Sequence, residues 1–338
     1  MKVSVPAAIL PPSQARARRF SVAFLLLAVV LSLAIFVWKR SDVFPWIGSC
    51  NPAGYSDETF MAYCHSSRFG DFEHRAYWKQ LEPVMQHVQA ADVLFLGNSR
   101  TQYAFSTQPV LEWFEQHKIA HYVFGFGMGS QNTVPERMAE KYKLKPSALV
   151  INADPFFTDY VSITNQNAFE ESPTRDWEYK AKMWLQARQK SSCADDASGL
   201  MAKLLCQGKD ETLYRYRENG HWDVRFFRKN MHIPVKVDNN QNLGVTVDQA
   251  AQIATRFFEN FGIDKECVIL TVTPRAQTPL AFATELSERL GVSGIFPMPE
   301  DLITVDASHL DPDSADLWSS QFMQAAAAKL ERCASAAN

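Results

Sequence analysis

Four short apolar runs, at residues 93–96, 120–126, 147–153 and 268–272, each give way to a turn containing glycine, proline or polar residues. Continuous apolar runs of this length, rather than alternating ones, are the mark of strands buried on both faces. Helical patterns are expected at 78–89, 109–117, 135–142, 249–261, 280–290 and 312–332, with Thr246 as a cap before the fourth and a short fifth strand at 294–296. Strands alternating with helices connect by right-handed crossovers into a parallel sheet. The fold class is therefore α/β. In an open sheet of this kind ligands bind in the crevice beyond the carboxyl ends of the strands, so the turns after 96, 126 and 153 are the places to look for chemistry.

The amino terminus adds a second constraint. Residues 20–38 run without a charge, and 19 helical residues span about 28 Å, close to the ~30 Å hydrocarbon core of a bilayer. Arg16, Arg18 and Arg19 precede the run, as a cytoplasmic amino terminus requires, while Lys39 and Arg40 behind it blunt the asymmetry. A cleaved signal peptide is the rival reading, but the run is long for one and Val37-Trp38-Lys39-Arg40 offers no small-residue cleavage site. The expected organisation is a disordered cytoplasmic tail at 1–19, an anchor at 20–38, a lead-in at 41–77, and a domain at 78–333 carrying an insertion at about 158–245. The domain would then sit in the periplasm or outside the cell.

All six cysteines follow the anchor, which fits an oxidising compartment. Cys50 with Cys64, and Cys193 with Cys206, can each close a loop of about 15 residues, worth roughly 3 kcal/mol in the chain-entropy model. Both bridges are expected; Cys267, opening an apolar strand, reads as a free buried thiol, and Cys333 is left unassigned. No metal site is expected, because no Cys-x-x-Cys or His-x-x-x-His spacing occurs. Glu73 and His74 lack a third ligand and read as a solvated loop. A formal net charge of −3 gives no electrostatic footprint for nucleic acid. Within the insertion, Asn219-Gly220 is a hairpin signal flanked by Tyr214, Tyr216, Trp222, Phe226 and Phe227; those aromatics read as packing rather than as a sugar platform. His65, His87, His121, His221 and His232 read as structural.

Two distant segments carry the chemistry. Ser99 stands immediately beyond the first strand, in Leu96-Gly97-Asn98-Ser99-Arg100, and Asp306-Ala307-Ser308-His309 immediately precedes the last helix. A hydroxyl attacks an ester carbonyl only when a base takes its proton, and a histidine of ordinary pKa near 6.5 does so at neutral pH. An Asp three residues before the His can fold back onto Nδ1 and leave Nε2 for the serine.

This order of Ser, Asp and His resembles the SGNH/GDSL hydrolase family. Leu96 to Arg100 looks like its first block, with Asn98 where Asp is usual and Arg100 where Leu is usual. Phe126-Gly127-Met128-Gly129-Ser130-Gln131 looks like the second block, and Val150-Ile151-Asn152-Ala153-Asp154 like the third, without its usual preceding glycine and adjoining aspartate. The resemblance covers about 91–157 and 263–325. It implies a flavodoxin-like three-layer sandwich, a triad of Ser99, Asp306 and His309, and an oxyanion hole from Ser99, Gly129 and Asn152. It implies no cofactor.

Anchored members of that family that act on envelope polysaccharides, such as the alginate O-acetylation proteins and the D-alanylation protein of teichoic acids, share the plan of one amino-terminal span and an external domain. The expected activity is therefore an O-acyltransferase or O-acyl esterase with an acyl donor and an envelope glycan as partners, and a membrane acyltransferase as a possible further one. Arg100 is a candidate for an anionic substrate group or an acyl donor's phosphate, with a surface ion pair or hydrogen bonding to the chain at the helix entrance as the alternative. The competing reading is a catalytically silent SGNH-like domain that binds glycan or scaffolds an acylation complex.

Overall fold

The computed structural model describes residues 12–40, 50, 54, 56–64, 72–78, 81–127, 131–161, 206, 208, 211–224 and 231–335, with single positions between 166 and 193. The first helix, α1 (Pro12–Arg40), is 29 residues long and begins inside the expected tail, because Gln14 to Arg19 carry no helix breaker. The window Ala17–Ala34 within it is apolar enough to cross a membrane, and none of it is buried against the rest of the protein. Phe24, Leu26 and Leu31 are all more than half exposed, which excludes a core helix. One apolar amino-terminal helix together with disulfides fits a membrane-anchored domain in an oxidising compartment.

The central sheet holds β2 (Val93–Gly97), β3 (His121–Gly125), β4 (Ala148–Asn152), β8 (Val268–Thr271) and β9 (Ser293–Gly294) in the order β3-β2-β4-β8-β9. Every pairing is parallel. The expected strands at 93–96, 120–126, 147–153 and 268–272 are therefore present to within a residue or two, and the fifth lies one to two residues earlier than expected. Side chains alternate across the sheet: Leu94, Leu96, Leu149 and Ile151 enter one apolar core, while Val93, Phe95, Ala148 and Val150 enter the other.

The first core is covered by α3 (Glu82–Ala90), α6 (Thr133–Tyr142), α7 (Val247–Phe261) and α8 (Leu280–Leu290). The second is covered by α4 (Ser99–Phe105), α5 (Gln108–His117) and α9 (Pro312–Ser335), with Trp318 and Phe322 stacked beneath Phe105. Thr246 caps α7 reciprocally with Gln249, as expected. The chain thus forms three layers around a five-stranded parallel sheet. The strand order reverses between β3 and β4, which frame β2, so the crevice falls at the carboxyl ends of β2 and β4.

Four expectations change. The turn after β2 is itself the start of a helix, α4, because Asn98 caps it by accepting from the Arg100 amide at 2.9 Å. Residues 72–77 form a short helix, α2 (Phe72–Tyr77), in place of the expected loop; the side chains of Glu73 and His74 lie outside the described ones. Cys267 is not a free thiol but is bonded to Cys333, while Cys50–Cys64 and Cys193–Cys206 pair as expected. The Cys267–Cys333 bridge staples the start of β8 to the end of α9 across a separation of 66 residues, worth about 4 kcal/mol in the chain-entropy model. Last, the lead-in and the insertion are one structure: β1 (Thr59–Cys64) pairs antiparallel with β5 (Thr212–Tyr216), which pairs with β6 (Trp222–Asp223) through the Asn219-Gly220 turn.

That hairpin closes the edge of the central sheet. The Val123 amide on edge strand β3 donates to the Asn219 carbonyl at 2.8 Å, and buried Arg215 donates to both Val123 O and Gly220 O. Gly220 (φ 74°) lies so close to Tyr122 and the Val123 carbonyl that a Cβ would collide with both. Beside it His121 Nε2 and His221 Nε2 are 2.9 Å apart, with His121 stacked on Phe114. One ring donates and the other accepts, so the accepting ring must be neutral and at most one of the two can be charged.

Burial, which strips water from the charged form, lowers the His121 pKa to about 3 and holds His221 well below the ordinary value, with proximity to His121 and Arg215 adding to the latter. The unfolded chain protonates both rings as pH falls through about 6.5, whereas the folded chain does not. Their contribution to stability is therefore present above that pH and is lost progressively below it. Thermal unfolding followed by circular dichroism is expected to show a loss of about 1–2 kcal/mol per histidine between pH 7 and pH 5, with His121→Gln flattening the slope. A slope unchanged in that variant would contradict the neutral pair.

Candidate active site

Gly97 ends β2 where neighbouring chains crowd in. A Cβ there would overlap the Thr101 hydroxyl and reach Asn152 Cβ at 3.0 Å, so glycine is what lets β2 and β4 finish side by side. Ser99 follows at the first position of α4, where its amide has no intrahelical acceptor. At the other end of the chain, β10 (Ile303–Thr304) pairs with β7 (Ile233–Pro234), and the loop beyond it closes tightly, the Val305 amide donating to the His309 carbonyl at 2.9 Å. Within that loop Ala307 adopts φ 69°, a conformation uncommon for a residue with a Cβ. The turn swings the Asp306 carboxylate back beneath the imidazole.

The three expected residues meet there. Ser99 Oγ lies 2.8 Å from His309 Nε2, and His309 Nδ1 lies 2.9 Å from Asp306 Oδ2 and 3.1 Å from Oδ1. The carboxylate can only accept, so Nδ1 carries the proton and Nε2 accepts from the serine hydroxyl. Asp306 Oδ1 also accepts from the amides of Ser308 (3.0 Å) and His309 (2.9 Å). Burial works against its ionisation, but these bonds and the attraction of the imidazole outweigh it and hold the carboxyl well below the usual carboxylate range.

Asn152, at the end of β4, is 2% exposed. Its Oδ1 accepts from the Thr273 amide at 3.2 Å, which orients Nδ2 as the other end, and that buried nitrogen has no acceptor among the described residues. A buried donor left unpaired costs about 1–3 kcal/mol, and a donor kept for a ligand atom is one of the few physical reasons to retain it. The expected oxyanion residue Gly129 lies outside the described residues.

Several residues of the site are not visible as motifs in the sequence. Asp154, whose side chain is wholly buried, binds two guanidiniums: Arg100 Nη1 donates to its Oδ2 at 2.9 Å, and Arg275 donates through Nε to Oδ2 (2.7 Å) and through Nη2 to Oδ1 (3.1 Å). Arg100 Nε donates to Ser308 Oγ at 3.1 Å, so the residue after Ser99 holds the loop that carries His309. Arg275 Nη2 also reaches Gln241 Oε1 at 2.6 Å. A charge directly after an apolar strand, as at 154, and another after the Thr273-Pro274 turn were the only signals. Tyr103, one turn along α4 from Ser99, packs its ring 4.4 Å from that of His309 and edge-on to Trp222 of the hairpin. Burial raises the Tyr103 phenol far above its ordinary value, so it remains a neutral wall.

Removing the Asp154 charge leaves two neighbouring guanidiniums without a counter-ion. Asp154→Asn is expected to cost about 3–5 kcal/mol, read as a lowered urea midpoint for the chain in detergent, and a loss under about 1 kcal/mol would contradict the buried ion-pair cluster. Comparison of the chain with protein-family models, with curated protein sequences and with solved structures finds no match.

Proposed function

We propose that this chain is a membrane-anchored serine O-acyltransferase or O-acyl esterase of the SGNH type, acting outside the cytoplasm on acyl esters of a cell-envelope glycan. The observation that carries the reading is the continuous chain of contacts from Ser99 through His309 to Asp306 beside the unpaired Asn152 donor. In this reading His309 Nε2 takes the hydroxyl proton as Ser99 Oγ attacks the ester carbonyl. The Ser99 amide and Asn152 Nδ2 receive the developing oxyanion, joined in the SGNH pattern by Gly129. The tetrahedral species collapses with cleavage of the ester C–O bond, and the imidazolium returns the proton to the leaving alkoxide. The acyl-serine is then attacked by water or by a sugar hydroxyl, His309 again taking the proton, and as the acyl C–Oγ bond breaks the imidazolium returns that proton to Ser99 Oγ. Which of the two arrives decides between esterase and transferase.

A fluorophosphonate probe is expected to label the wild-type chain at Ser99, and Ser99→Ala to abolish labelling without changing the circular dichroism. A correctly folded wild type that takes no label would favour the silent glycan-binding or scaffold reading. On an activated acetyl ester, Asn152→Ala is expected to lower kcat by about 10²–10³, and a kcat within a few-fold of wild type would remove Asn152 from the oxyanion hole. Mass spectrometry of acetyl-sugar formed from that ester and candidate oligosaccharides separates transfer from hydrolysis.

A further inference from the structure

The cluster around Asp154 keeps hydrogen-bond donors that it does not use itself. Two guanidiniums share one carboxylate, which accepts from Arg100 Nη1 and from Arg275 Nε and Nη2. The charge of Asp306 also acts on Arg100, and its oxygens are taken up by His309 and Ser308. The side chains of Arg100 and Arg275 are 20% and 16% exposed, each keeping an edge open to solvent while Asp154 beneath them is sealed. On each guanidinium one terminal nitrogen, Nη2 of Arg100 and Nη1 of Arg275, makes no hydrogen bond among the described residues. The group is also fixed in place relative to the nucleophile, because Arg100 is the residue after Ser99 and its Nε holds Ser308, the neighbour of His309.

Crowding two cations is costly. Burial first, and then the adjacent Arg275, destabilise the charged form of Arg100, while Asp154 opposes them. A single arginine would satisfy Asp154, and an apolar residue after Ser99 would avoid the cost altogether. A guanidinium pair that keeps unused N–H groups is instead suited to an oxyanion of carboxylate or phosphate geometry.

We infer that Arg100 and Arg275, held by Asp154, form an anion subsite beside Ser99 that receives a carboxylate or phosphate group carried by the substrate. The inference rests on the proposed serine chemistry for its role, but not for its detection. It narrows the substrate to an acidic glycan or a phosphorylated acyl acceptor or donor.

The test is calorimetric titration of the full chain in detergent and low-salt buffer with glucuronate, with inorganic phosphate and with glucose. At least one anion is expected to bind and glucose is not. Arg275→Gln is expected to weaken anion binding at least tenfold. If that variant loses its circular dichroism, Arg275→Lys, which keeps the charge but not the fork, carries the comparison with a smaller loss. Preference for glucuronate identifies a carboxylate source, and preference for phosphate a phosphorylated one. The bound anion is expected to slow fluorophosphonate labelling of Ser99 at least fivefold. Absence of anion binding by the folded wild type, or equal binding by the folded arginine variant, would overturn the subsite. Ser99 labelling that no anion affects removes the subsite and leaves the nucleophile standing, whereas anion binding without labelling does the reverse.

Discussion

The carboxylate of Asp154 is the point on which the strand ends converge. It lies just beyond β4, while its two partners lie just beyond β2 and β8, so one buried charge ties together three consecutive exits of the parallel sheet. A parallel sheet delivers those exits to one edge whether or not they are chemically compatible. What makes them compatible here is that the charged groups brought to the edge are bonded there: Arg100 and Arg275 to Asp154, and Asp306 to the His309 ring N–H. The Ser308 hydroxyl, bound by Arg100 Nε, joins the two groups. The position of His309 relative to Ser99 therefore depends on a network whose anchor is neither of them.

The legible and illegible parts of the chain divide along a physical line. The sheet was legible because strands buried on both faces must be apolar throughout, and 93–96 and 268–272 leave little freedom. The Asp306–His309 pair was legible because its geometry is local, three residues closing on themselves, and its link to Ser99 because both ends flank regular elements. The pairing of β1 with β5 was not, since strands 153 positions apart from Thr59 to Thr212 declare no partner in their composition. The bond between Cys267 and Cys333 was hidden for the same reason: an apolar neighbourhood describes a free thiol and a buried disulfide equally well. Arg275 carried only the weak signal of a charge after a strand, because its meaning depends on a carboxylate more than a hundred residues earlier.

The insertion takes part in the site rather than decorating the fold. Its turn covers the open edge of β3 and would not reach it without Gly220, and its neutral His221 seats against His121. Two residues past that turn, Trp222 meets Tyr103, whose other side faces the His309 ring. The imidazole is thus fixed in hydrogen bonding by Asp306 and in packing by Tyr103. Of the hairpin aromatics, Tyr214 is buried and Trp222 packs, as expected, against the wall of the candidate active site, while Phe226 and Phe227 lie outside the described residues.

The residue after the nucleophile shows most clearly where stability and chemistry part. An apolar side chain at position 100 would stabilise by burial alone and would need no companion. A guanidinium there needs Asp154, whose Oδ2 it shares with Arg275. Buried ion clusters are weak devices for stability, since desolvation consumes most of the attraction they regain. Their value lies in holding a charge at a fixed point with fixed donors. In this protein that point adjoins Ser99, the residue before Arg100, and the Ser308 hydroxyl next to His309.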